Sequence, residues 1–200
     1  MIRVGVAALC CAWLAGCAIA VQRPMPADAL PLDWPSRREI LQGRPDFDLK
    51  GRVAIAVGEE GFTGALRWRA REPGSNDLAI DGPLGFGGLR IRSNGADLTL
   101  QTSRGERLDG EAARAELERR LGFALPIEAL RYWVLGVPQP GIESSESIRG
   151  GASYLDGLEQ LGWSISYADY QPAGPQGLPG RVTLQRTGAR VRLIIAEWVR

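Results

Sequence analysis

From Phe47 to Val57 the chain alternates without a break. Phe47, Leu49, Gly51, Val53, Ile55 and Val57 hold the odd positions, and Asp48, Lys50, Arg52, Ala54 and Ala56 the even ones. Successive side chains on a strand point to opposite faces, so a period of two describes a strand with one buried and one wetted face. The same period returns along most of the chain. Phe62, Leu66 and Trp68 alternate with Arg67, Arg69 and Arg71, and Leu78 and Ile80 sit between Asp77 and Asp81. Leu89 and Ile91 alternate with Arg90 and Arg92, and Leu98 and Leu100 follow. Toward the C-terminus come Trp163, Ile165 and Tyr167, then Val182 and Leu184, then Val191, Leu193 and Ile195. Turn signals at Glu59-Glu60-Gly61, Pro73-Gly74-Ser75-Asn76, Gly82-Pro83-Leu84-Gly85 and Ser93-Asn94-Gly95 separate the early strands. Short strands joined by tight turns make an antiparallel meander of about ten or eleven strands.

Three stretches read as helices. Glu111 to Leu121 places Ala112, Ala115 and Leu117 near Leu121 on one side and stops at Gly122. A second runs from Pro126 through Ile127, Leu130, Trp133 and Val134 to Gly136. A shorter one spans Pro35 to Leu41. Residues 137–151 read as a long polar loop, and 171–180 as a Pro/Gly-rich separator. The fold class is therefore mainly β (α+β).

A single sheet of that size, apolar on one face, has to curl, and about three short helices cover its concave side only in part. By alternation Val53, Ile55, Leu66, Trp68, Leu78, Ile80, Leu89, Ile91, Leu98 and Leu100 face that concavity, with Trp133 added from the helices. An apolar trough left partly vacant takes up hydrocarbon; one filled by its own side chains is an ordinary core. Alternation leaves both open.

The N-terminus adds an address. Arg3 precedes the apolar run Val4 to Trp13, too short to span a bilayer, and Leu14-Ala15-Gly16-Cys17 has the spelling of a lipobox. Residues 1–16 are expected to be a signal peptide that is removed, and Cys17 to carry acyl chains. Each buried methylene contributes roughly 0.8 kcal/mol, so several chains on one residue hold a protein on a membrane. Ala18 stands where an aspartate commonly marks inner-membrane retention. Residues 17–35, with Pro24, Pro26, Pro31 and Pro35, form an extended tether at about 3 Å per residue. Residues 36–200 make one domain.

Composition narrows the chemistry. The chain has 24 basic and 23 acidic residues, and loss of Arg3 balances the two, which argues against nucleic acid as a partner. It has no histidine, and Cys10, Cys11 and Cys17 are consumed by the signal and the lipid. The usual general base and thiol nucleophile are thus missing. Ser144, Ser145 and Ser147, beside Glu143 and Glu146, read as solvated loop. No carboxylate cluster has metal-ligand spacing and no glycine cluster fits a phosphate or dinucleotide loop. Catalysis, cofactors and metals are not expected. Arg67, Arg69, Arg71, Arg90 and Arg92 form either a solvated face or a set of cations that steers an acidic carrier into docking.

Several stretches resemble one family. Leu130-Arg131-Tyr132-Trp133-Val134-Leu135-Gly136-Val137-Pro138 is similar to the LRxWxxGxP segment of the LolB outer-membrane lipoprotein receptors. Asp81-Gly82-Pro83-Leu84-Gly85 falls where that family has its NPLG turn, with Gly82 in place of the frequent asparagine. Lys50-Gly51-Arg52-Val53-Ala54, Leu66-Arg67-Trp68 and Ala196-Glu197-Trp198 look like its first, second and closing strands. The resemblance implies an open antiparallel half-barrel with helices in its mouth. It implies a monomer that takes acylated lipoproteins from the soluble periplasmic carrier LolA and places them in outer-membrane lipid. It implies that Leu84, matching the protruding leucine of the turn, serves insertion. Two rivals stand beside this expectation: a lipid-anchored structural or assembly subunit with a closed β core, and an envelope hydrolase with a cryptic site.

Overall fold

The structure, a computed structural model, describes residues 33–43, 46–71, 74–82, 87–148, 153–172 and 177–199. Cys17, Pro24, Pro26, Pro31 and Leu84 lie outside the described residues, whereas Pro35, counted with the tether, stands in the first helix.

Among the described residues, eleven strands form one antiparallel sheet. They are β1 (Phe47–Val57), β2 (Glu60–Arg71), β3 (Ser75–Asp81), β4 (Leu89–Asn94), β5 (Asp97–Thr102), β6 (Arg107–Asp109), β7 (Ser145–Ile148), β8 (Leu155–Gln160), β9 (Trp163–Ala168), β10 (Arg181–Arg186) and β11 (Ala189–Val199). Their order is β6-β5-β4-β3-β2-β1-β11-β10-β9-β8-β7. Two meanders, β1 to β6 and β7 to β11, are thus sewn together by the pairing of the first strand with the last, and the sheet stays open at β6 and β7. Three helices accompany the sheet among the described residues: α1 (Trp34–Gly43), α2 (Gly110–Leu121) and α3 (Ile127–Trp133). The expected strand and helix numbers are both met.

Alternation sets the two faces. On β1, Phe47, Leu49 and Val53 are buried, while Lys50 and Arg52 are exposed. Between β1 and β11 the register slips by one residue: Lys50 pairs with Glu197, but Gly51 pairs with Ile195, so Ala196 bulges out. The slip resets the phase of β11, whose inward residues are Val191, Leu193 and Ile195 before the bulge and Trp198 after it. Trp198 then meets the Phe47 ring edge-on, 5.7 Å between centroids. Gly51 makes the bulge possible, because a Cβ there would run into the Ile194 carbonyl.

The helices cross the inner face. After β6, at one sheet edge, the chain passes through α2 and α3 before entering β7 at the other. Asp33 caps α1 by accepting a hydrogen bond from the Ser36 N–H at 2.9 Å. Gly122, at φ 74°, ends α2 by donating its N–H to the Glu118 carbonyl.

Two expectations need correction. The buried stripe of α2 is Ala113, Leu117 and Leu121, four residues apart, whereas Ala112 and Ala115 are exposed. Single alanines bring too little apolar area to set a helix's phase. Residues 137–151 are not loop throughout, because Ser145–Ile148 is the edge strand β7 on β8. With one neighbour and mostly exposed residues it carries no alternation that sequence could reveal.

Candidate functional site

Beneath the α2–α3 crossing lies a cavity of about 50 Å³ walled entirely by apolar side chains. From below come Val53 and Ile55 of β1, Leu66 and Trp68 of β2, Leu78 and Ile80 of β3, Leu89 and Ile91 of β4, and Val191 and Leu193 of β11. From above come Leu121 at the end of α2, Leu125 in the connection and Leu130 of α3. Eight of the ten strand positions chosen by alternation therefore meet around one space. Leu98 and Leu100 do not; both are buried on β5, against which α2 packs. Sequence reasoning did not include Val191 and Leu193, which the same alternation marks, Leu121 and Leu130, read only as helix residues, or Leu125, which no periodicity marks.

The size of the space matters as much as its lining. A water molecule takes about 30 Å³, and a pocket that buries a small ligand about 300–1,000 Å³. The space left beneath the three leucines is thus far smaller than a ligand pocket. An acyl chain fits only when they move.

The two ends of that cover are held differently. Trp133, 0 % exposed, does not line the cavity. Its Nε1 donates to Gln160 Oε1 at 2.7 Å, and its ring lies 6.5 Å from that of Trp163. The same Gln160 accepts from the Gln139 N–H at 2.9 Å and donates to the carbonyls of Gln139 and Ile142, both at 3.0 Å. Helix α1 clamps the turn after α3 from outside: Arg37 donates to the Leu135 carbonyl at 3.4 Å and Gln42 to that of Pro138 at 2.9 Å. The Arg37 guanidinium, lowered from its ordinary pKa by burial, stands over Tyr154 at 4.8 Å and Tyr170 at 5.7 Å. Glu146 of β7, expected in a solvated loop, accepts from Trp34 Nε1 at 2.8 Å and pairs with Arg38 at 2.8 Å. The end of α2 and the connection after it rest instead on apolar contacts. Phe123 meets Trp163 edge-on at 5.1 Å, and Gly122 packs on Val57.

The outer face carries an ion-pair ladder. Asp48 lies 2.7 Å from Arg71 and 3.5 Å from Arg69, Asp77 lies 2.7 Å from Arg90 and 3.6 Å from Arg92, and Asp81 lies 2.7 Å from Arg67. Hydrogen bonds from Arg71 and from Arg90 hold the carboxyls of Asp48 and Asp77 below the usual range. All five arginines read as docking cations are therefore engaged with carboxylates of their own sheet.

Residues 45–198 match the family model described as outer membrane lipoprotein LolB. The chain is 36% identical over 185 residues to the outer-membrane lipoprotein LolB of Nitrosococcus oceani, covering 92% of this chain and 91% of that one. It is 31% identical to the protein of the same name from an Azoarcus species, covering 93% and 95%. Among solved structures, a DUF1329 family protein from Desulfovibrio piger superposes with a TM-score of 0.53 at 10% identity, covering 82% of this chain and 88% of that one, a likeness of fold.

Proposed function

We propose that this chain, which belongs to the family of the outer membrane lipoprotein LolB, receives acylated lipoproteins from the soluble carrier LolA and inserts their acyl chains into the outer membrane. Membership makes it an outer-membrane lipoprotein, and no helix among the described residues is long and apolar enough to cross a membrane. Cys17 would carry its lipid after removal of residues 1–16, and residues 17–35 would let the domain stand off the bilayer. The observation that carries the reading is the wholly apolar space where β1 to β4 and β11 meet the undersides of α2 and α3.

The physical requirement is an unbroken greasy path. Exposing acyl chains to water costs roughly 0.8 kcal/mol per methylene, so chains must pass from one trough to another without crossing solvent. In this molecule the trough opens by displacing Leu121 and Leu125, because that end of the cover is secured by contacts between apolar groups. The α3 end stays put, pinned through Gln160 and α1. Transfer needs no bond made or broken. It runs toward whichever site holds the chains better, and Leu84 would act where they leave for the bilayer.

The small cavity gives the rival reading, a closed core in an assembly lipoprotein, one observation of its own. A fluorescent fatty acid decides between them. The expected result is saturable micromolar binding, with Leu125→Glu weakening it at least ten-fold while far-ultraviolet circular dichroism is unchanged. Absence of binding by the unaltered chain removes the transfer reading. Leu84→Glu is expected to bind the probe normally, accept lipoprotein from the carrier, and fail to deliver it to liposomes.

A further inference from the structure

On the outer face the central β1–β11 seam pairs Lys50 with Glu197 at 3.2 Å but leaves two arginines without such a partner. Arg52 of β1 and Arg192 of β11 are exposed, and among the described residues neither has an acidic or hydrogen-bonding partner. The β1–β11 register makes them neighbours: Arg52 pairs with Ile194 and Ala54 with Arg192, which sets the two guanidinium stems on a diagonal about 7–8 Å apart at their roots. Two residues along, Arg190 stands opposite the neutral Gln185.

The floor between them is bare. Ala54, Gly64 and Ala65 line a depression bordered by Arg52, Arg192 and Ile194. Asp81, at the far side, has its charge engaged by Arg67. Ile194 is 48 % exposed although it belongs to a strand in the middle of the sheet.

We infer that this patch is a membrane-docking surface, in which Arg52 and Arg192 engage the phosphates of anionic phospholipid headgroups while Ile194 settles among them. Two features favour a bilayer over an acidic protein. Unpartnered cations flank an apolar residue at one level, the arrangement that suits a headgroup layer. An acylated chain also keeps a bilayer within tether reach throughout its life. The inference rests on the family's membrane location and not on lipoprotein transfer. The patch borders Gly82, where β3 leads into the turn before β4. Docking there would fix which rim of the sheet faces the lipid.

The test uses the chain from residue 17 onward with Cys17→Ala, so that no acyl group holds it; flotation itself needs neither carrier nor cargo, which enter only in a control that reads protein docking. Flotation is measured with phosphatidylethanolamine vesicles with and without added phosphatidylglycerol, at low and moderate salt. The expected result is binding that requires phosphatidylglycerol, weakens with salt, and falls about five-fold for Arg52→Gln or Arg192→Gln and about twenty-five-fold for both. Arg69→Gln, taken from the ion-pair ladder, should change it far less. No binding, or binding unaffected by the double substitution, overturns the inference. So does a double variant that floats normally but accepts lipoprotein from the carrier more slowly, which would make the patch a protein interface. Loss of fatty-acid uptake in the previous experiment leaves this one standing, so the two readings fail separately.

Discussion

A Gln160→Leu substitution would remove four hydrogen bonds at once from a side chain that is 3 % exposed. The indole N–H of Trp133 would be left buried and unpaired, and three main-chain groups of the partly exposed segment after α3 would lose their partner. A buried unpaired group costs about 1–3 kcal/mol, so a loss of about that size is expected, read as a lower urea midpoint at unchanged slope. Gln160→Glu should recover little, because a buried carboxylate cannot donate to the carbonyls of Gln139 and Ile142. Single residues were unevenly legible in sequence. Trp133 was evident as an inward aromatic, but its placement as a fastening instead of a cavity wall depends on a glutamine far along the chain. Hydrogen bonds between distant residues leave no periodic trace. The trough positions Val53, Ile55, Leu66, Trp68, Leu78, Ile80, Leu89 and Ile91 were legible because alternation alone decides which way a strand residue points.

Strands β1 to β4 are tied across their wetted face by three carboxylates, Asp48 and Asp77 serving two arginines each and Asp81 one, and this makes the sheet sensitive to acid. The Asp77 carboxyl is held below its ordinary value of 3.8, first by its hydrogen bond from Arg90. A carboxyl with a depressed folded pKa contributes stability that is fully present above its unfolded value and lost as pH falls through the folded one. The contribution of Asp77 should therefore be intact at neutral pH and decline below about pH 4. Chemical unfolding between pH 6 and pH 2 is expected to show a shallower acid limb for Asp77→Asn than for the unaltered chain. If the two curves run parallel, the ladder contributes nothing to the sheet. At this scale the long alternating strands were readable, and β7 was not: Ser145–Ile148 becomes a strand through its neighbour β8 and through Glu146, which ties it to α1. The helix stripe was misphased for a related reason. Alanine is so small that Ala112, Ala113 and Ala115 are equivalent until β5 and β6 lie beneath them.

For the molecule as a whole, sequence conveyed the open sheet, the helical cover and the apolar interior, since all three follow from which face of each element is greasy. It could not convey how full the interior is. That depends on how deeply Leu121, Leu125 and Leu130 sink between the strands, a matter of packing and not of pattern. The sewing of the two meanders by their terminal strands has a consequence of another kind. Val53 cannot find Leu193 until nearly all of the polypeptide has emerged, because one lies near the start of the domain and the other near its end. Closing so large a loop comes late and slowly, so the nascent chain would pass through an export pore as a loose thread and consolidate only once free of it. A chain cut before Ala189 would then lose the middle of its sheet, and with it both meanders, where trimming an edge strand would cost only a margin.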